Sequence, residues 1–273
     1  MHPVKDTIVE KCLSLADDAL RRNWTFHDST EALFWFRAVL KVDSRHTAAR
    51  LGAARAYQYI ASQPWWHNDV RVAKKAAVQA LALAEQLPLL SDIARSRERA
   101  LVCGQIYSAI GQVDMAERYL NEGISIDPQY SVGQYFLSFN RIFVDPTDKN
   151  ILPGLSKAVE LAELEGNDRR LAAALYFKGF ANTLFENYRE AIKDLERSAT
   201  IAPRYGSANL ALIAATVLAR RKDTYKVVRH FKAKYPNFNR DVLNYMWVER
   251  SSSQKYLHLV RPIVSAVSAK LAR

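Results

Sequence analysis

One frame of small and large residues occurs twice in this chain at identical separations, and no other feature narrows the fold as much. In the segment Ala100 to Pro128, Gly104 is followed by Tyr107, Ala116, Gly123 and Pro128. Residues 175–203 repeat the frame with Gly179, Ala191, Ser198 and Pro203 at the same separations. A third copy of its second half places Ala32, Val39 and Ser44 at spacings of seven and five. Such a frame belongs to helices packed at short range, which need small residues where two axes approach and large ones in the gaps between turns. Gly104 with Ala116, and Gly179 with Ala191, are therefore the predicted close approaches. Tyr107, Leu120, Leu175 and Leu195 are the predicted fillers, and Pro128 and Pro203 mark where second helices stop. With only 9 Gly and 9 Pro in 273 residues, tight turns are too few for a sandwich or barrel. An all-α chain of helical hairpins is expected.

The frame resembles the tetratricopeptide repeat, a helix-turn-helix unit of about 34 residues. The resemblance implies a right-handed α-solenoid of six hairpins. Their expected positions are about residues 10–44, 47–88, 94–128, 131–168, 171–203 and 206–237. Surplus length is assigned to insertions at 62–69, 87–92 and 145–153. The array would thus occupy residues 1–237, with capping helices in 238–273. Repeat 6 departs from the pattern, having Tyr225 and Arg229 where Ala is usual. A second resemblance covers most of the chain: the opening ALRRNWTFHDSTEALFWFRAVLKVD, a WW insertion, and YPNF ahead of two further helices. These resemble the repeat regions that follow winged-helix DNA-binding domains or class III adenylyl cyclase domains in bacterial regulators. That likeness implies a regulatory or sensor module, with Met1 the start of a fragment whose output domain lies elsewhere.

Charge is unevenly spread. The first 200 residues hold 25 Lys and Arg against 25 Asp and Glu, whereas residues 201–273 hold 14 against 3, so the whole net charge of +11 sits in the last quarter. If electrostatics serve function, they are expected to do so at that end. No GxGxxG, GxxxxGK[ST], HExxH, GxSxG or CxxC occurs, and the six histidines are scattered without a partner at ligand spacing. The chain is expected to be non-catalytic, without cofactor or metal. Cys12 and Cys103 fall in helical apolar patterns, no run of eighteen apolar residues exists, and the first twenty residues carry six charges. A reduced, cytoplasmic setting follows as an expectation.

The tetratricopeptide resemblance implies which residues line a concave groove: Leu51, Arg55 and Gln58, then Leu101, Gln105 and Ser108, then Tyr135, Phe139 and Ile142, then Tyr176 and Phe180, and finally Leu210. The aromatics either anchor an extended peptide or protein segment, burying much area at little rotamer cost, or pack on one another as core. The carboxylate-clamp variety of this family needs Lys, Asn and Arg at the inward positions, and only Arg55 fits. A small-molecule effector closing the aromatic middle of the groove is the alternative occupant, and a free-standing adaptor the alternative context.

A basic segment includes Arg220, Arg221, Lys226, Arg229 and Lys232, with an apolar stripe of Tyr225, Val228, Phe231 and Tyr235. It either docks an acidic partner, a phosphate backbone or anionic lipid, or packs on repeat 5 while its cations solubilise the end of the array. Base-reading motifs are missing, which argues against direct nucleic-acid binding. Trp65 and Trp66 either plug the seam between repeats 1 and 2 or offer a contact patch. Residues 246–248 with the stripe Tyr256, Leu259, Ile263 and Val264 are expected to form a terminal lid, and a lid left unsatisfied would favour a homodimer.

Overall fold

The computed structural model describes residues 3–22, 25–87, 92–236 and 238–272, with side chains described from residue 6 onward. Among these residues there are fourteen α-helices and no strand. They run α1 (Pro3–Arg22), α2 (Phe26–Val42), α3 (Thr47–Ser62), α4 (Val70–Ala84), α5 (Ile93–Ala109), α6 (Val113–Ile126) and α7 (Ser131–Val144). The remainder are α8 (Ile151–Leu164), α9 (Asp168–Leu184), α10 (Tyr188–Ile201), α11 (Gly206–Leu218), α12 (Thr224–Lys234), α13 (Arg240–Trp247) and α14 (Gln254–Ala272). Consecutive helices pack in antiparallel pairs and each pair packs on the next, which makes an α-solenoid. Part of the expected insertion at 87–92, the division at Asn237, Trp24 and Met1 all lie outside the described residues.

Local chemistry starts and stops these helices. Thr25 and Asp28 form a reciprocal capping box on α2, while Asp92, Asn167 and Asn239 accept from first-turn amides of α5, α9 and α13. Just past α5, α9 and α11 the chain passes through the left-handed region at Gly111, Glu186 and Arg220, with φ of 79°, 63° and 54°. One turn type therefore closes three hairpins, and only the first uses glycine. The frame glycines sit where the pairing needs them. A Cβ on Gly104 would stand 2.7 Å from Leu120, and one on Gly179 would stand 2.5 Å from Leu195 and 3.2 Å from the Ala191 carbonyl. Gly123 approaches Leu101 in the same way, and in the later copy Ser198 donates instead to the Ala172 carbonyl at 2.7 Å.

The core is not uniform along the array. Around α1–α4 it is rich in alanine, including Ala32, Ala53, Ala77 and Ala80. From α7 onward it becomes aromatic, and a single cluster joins Phe139, Phe143, Phe180, Trp247 and Tyr256. That change has a cause in the closing helices. Phe180 packs on Trp247 at 5.2 Å and Phe143 on Tyr256 at 5.0 Å, so α13 and α14 fill the lower part of the concave face. The lid is consequently satisfied inside the chain: Trp247 and Tyr256 are fully buried, and Ile263 and Val264 are buried with them.

Two expectations are corrected here. Trp65 does not plug the seam between repeats 1 and 2. It is buried across the solenoid against Tyr205, at 6.0 Å, and over Gly206, where a Cβ would stand 2.5 Å from the indole. Tyr225 does not join the apolar stripe of α12; it is 61% exposed, and at the start of the helix Thr224 takes the buried side, while Val228, Phe231 and Tyr235 pack on the core as expected.

The chain also closes on itself through residues 248–253, a strap between α13 and α14. Its Glu249 pairs with Lys74 at 2.8 Å, Ser251 donates to the Phe143 carbonyl, and ahead of α13 the Asn239 amide donates to Asn68 Oδ1 at 2.6 Å. Gly111 lies directly beneath, where a Cβ would stand 3.2 Å from the Glu249 carbonyl.

Candidate functional site

The first helix of every pair, the Pro64–Trp66 turn, α13 and the strap together surround a central cavity of about 590 Å³. Its walls are Asp17, Leu20 and Arg21 of α1; Arg55, Gln58, Tyr59 and Ser62 of α3; and Glu98, Leu101 and Gln105 of α5. Opposite stand Val132, Tyr135 and Phe136 of α7, Arg169, Arg170, Ala173, Tyr176 and Phe177 of α9, Arg204 and Tyr205 ahead of α11, Met246, and Arg250 of the strap. Of the seven groove residues expected from sequence, the structure brings Arg55, Gln58, Gln105, Tyr135 and Tyr176 into this wall. Phe139 and Phe180 it places in the core, 2% and 0% exposed, because the closing helices pack against the far halves of α7 and α9. Leu51, Ser108, Ile142 and Leu210 are buried as well.

The floor is aromatic. Tyr135 stacks on Phe177 at 5.1 Å and an interplanar angle of 24°, and Tyr176 meets Phe177 at 4.8 Å and Tyr205 at 5.3 Å. Burial raises the Tyr176 phenol and pushes those of Tyr135 and Tyr205 well above the usual value, so all three stay neutral donors at neutral pH. Above this floor stand six guanidinium groups and two carboxylates. Arg55 bonds Glu98 at 3.0 Å, and that carboxylate is the main reason its affinity for the proton rises further. Arg170 donates to Tyr130 at 2.8 Å and pairs with Glu165 at 3.0 Å. Arg169 lies 4.3 Å over the Tyr59 ring and donates to the Leu20 carbonyl. Burial by itself would raise the Tyr59 phenol, yet Arg169 and Arg55 together bring it below its usual value, a direct sign of positive potential in the wall. At the α1 end the opposite holds, for burial raises Asp17 despite Arg21 and Arg55 nearby.

Tyr59, Trp65, Arg169, Arg170, Arg204, Tyr205 and Arg250 are among the wall residues that frame positions alone do not pick out. Arg169 and Arg170 occupy the first turn of α9, just ahead of the expected start of repeat 5. A cation there opposes the helix dipole at a cost of roughly 0.3–1 kcal/mol, and two in succession are the signal that could have marked the site. Among the described residues no group of three or more His, Cys, Asp or Glu could hold a metal ion. Cys103 is buried, which pushes its thiol up to about 12, out of the range of a nucleophile.

The expected basic segment forms a second, shallower concavity. Arg220, Arg221, Arg229 and Lys232 line it with Lys222, Lys270, Val217, Tyr225 and Val228, while Lys226 lies outside it. Arg221 is bonded to Asp223 at 2.7 Å, and nothing encloses the rest.

Among the described residues no helix is long and apolar enough to cross a membrane. The family model of the tetratricopeptide repeat matches residues 103–130, inside the first of the two sequence frames. No curated protein sequence matches the chain. Among solved structures, a chain of the APC/C hetero-tetramer Cut9-Hcn1 superposes with a TM-score of 0.62 at 14% identity, over 88% of this chain and 46% of that one. The Rap protein complexed with Competence and Sporulation Factor superposes with a TM-score of 0.57 at 13% identity, over 96% of this chain and 89% of that one. This chain therefore spans less than half of the Cut9-Hcn1 chain, and at such identities the likeness is one of fold. Sequence frame, helix pairing and structural likeness converge on one statement: the fold is an α-solenoid of the tetratricopeptide type.

Proposed function

We propose that the chain is a non-catalytic receptor module that takes up a short extended peptide or protein segment in its central cavity and acts as the regulatory region of a bacterial signalling or transcriptional regulator. In this reading residues 1–237 supply the walls and 238–273 close them. The observation that carries it is the convergence of all six first helices and the strap on one cavity with a ring-lined floor and charged rim, the arrangement by which aromatic anchors and bidentate cations hold an extended chain. The Rap protein, complexed with Competence and Sporulation Factor, supplies a precedent in a similar fold. Arg55, Gln58, Gln105, Tyr135 and Tyr176 are the proposed contacts.

A second reading is favoured by the enclosure of the cavity, whose volume falls in the range of about 300–1,000 Å³ typical of small-molecule sites. A random heptapeptide pool passed over immobilised protein separates the two. Retention by the native chain and its loss in Gln105→Trp, which fills the cavity from a half-buried wall position, supports peptide uptake. No retention by either protein removes it in favour of a metabolite.

A further inference from the structure

The charged groups of the cavity are not evenly arranged. Both wall carboxylates, Asp17 and Glu98, belong to the α1–α5 side, and Glu98 is already bonded to Arg55. On the α9–strap side the wall holds Arg169, Arg170, Arg204 and Arg250 and no carboxylate. Two helix N-termini add to that field, since Arg169 lies in the first turn of α9 and Arg204 stands two residues ahead of α11, whose amide ends carry partial positive charge. Among the described residues, the wall side chains with a buried polar atom lacking a hydrogen-bond partner are those of Trp65 and Arg250, through Nε1 and Nε, and both atoms are donors. Donors left over and cations in excess, with no carboxylate in that part of the wall, form a site shaped for an anionic acceptor.

Building on the receptor reading, we propose that the ligand carries an anionic group, a carboxylate or phosphate, seated on the α9–strap side between Arg169, Arg204 and Arg250 with the Tyr176 and Tyr205 rings beneath it. Recognition is then directional, with the anionic end of the ligand toward the strap and its neutral or cationic end toward Asp17. Because Arg250 belongs to the strap, the same group ties ligand charge to closure of the chain.

The test uses the full chain and four probes: heptapeptides with free C-terminal carboxylates, the same pool amidated and free of Asp and Glu, phenylacetate, and inorganic phosphate. Retention is read for the peptides and the thermal midpoint for the small anions. The expected result is at least tenfold preference for the carboxylate pool, reduced roughly tenfold by Arg250→Gln and by Arg204→Gln and unchanged by the exposed Lys149→Gln. Arg204 is exposed and its side chain has no partner among the described residues, so its variant remains informative should Arg250→Gln fail to fold. Stabilisation by phenylacetate or phosphate alone, abolished in the same variants, upholds the anionic site and refutes the peptide. Equal retention of both pools, indifferent to the arginines, overturns the anionic site and leaves peptide binding standing. Silence from all four probes overturns it as well.

Discussion

The molecule has two cationic regions, and they differ in everything except charge. The surface at α11, α12 and α14 collects six Lys and Arg around an exposed Tyr225, open to water on most sides. The central cavity also collects six, but over buried rings, between helix ends, and with two carboxylates for company. Composition alone points to the first, because the last quarter holds all the net charge. Yet water screens exposed cations within about 10 Å at 0.1 M salt, whereas groups held over a low-dielectric floor keep most of their field. Net charge along a sequence is therefore a poor guide to where charge acts.

The sharpest way to break this comparison is to truncate a ring in each region. Phe180→Ala removes a fully buried side chain of the cluster under the cavity and should cost about 3–5 kcal/mol in urea unfolding, while Tyr225→Ala, at the basic surface, should stay within about 0.5 kcal/mol. Comparable losses would mean that the basic surface is packed as tightly as the cavity floor. Next in size is the carboxylate of each region. Glu98→Gln leaves the half-buried Arg55 without its counter-charge and should cost about 1–3 kcal/mol, whereas Asp223→Asn breaks an exposed pair with Arg221 worth less than about 1 kcal/mol.

A smaller effect of opposite sign is expected at the rim of the basic surface. Arg220 occupies the left-handed position that Gly111 fills in the earlier hairpin, so Arg220→Gly should raise the unfolding free energy by up to about 1 kcal/mol. The last difference is spectroscopic. Of the 13 tyrosines, Tyr59 should ionise below the ordinary range in an absorbance titration, and Tyr59→Phe should remove that early phase. The sign for stability follows from linkage. Lowering the Tyr59 value favours its phenolate in the native state, a contribution fully present above the unfolded value near 10 and lost as pH falls through the lowered native value. Tyr135, Tyr205 and Tyr256, raised by burial, hold protons that the unfolded chain releases, so stability should fall as pH climbs past about 10.

Helix pairing was legible because it is a local, periodic requirement. Gly104 and Gly179 can be small for only one reason at that spacing, and the structure seats each against the leucine sixteen residues on, Leu120 and Leu195. Inward positions of the first helices, such as Arg55, Gln105 and Tyr135, could be placed on the concave side from the same frame. What the frame could not say is how deep that side stays open. Phe139 and Phe180 share the helical face of Tyr135 and Tyr176, and they are core only because α13 and α14 come back over them. Arg169, Arg204 and Arg250 escaped notice because helix starts and connections lie between frame positions.

The order of small and large residues was enough to dictate paired helices, their stops at Pro128 and Pro203, and a chain that stacks hairpin on hairpin, since each of those depends on neighbours within about forty residues of sequence. Closure of the solenoid by the strap, burial of Trp65 against Tyr205 and Gly206, and the placing of Arg169 and Arg250 in one cavity wall join segments far apart along the chain. They depend on how small rotations add up over six pairs, a sum carried by packing throughout the array and by no single stretch of residues.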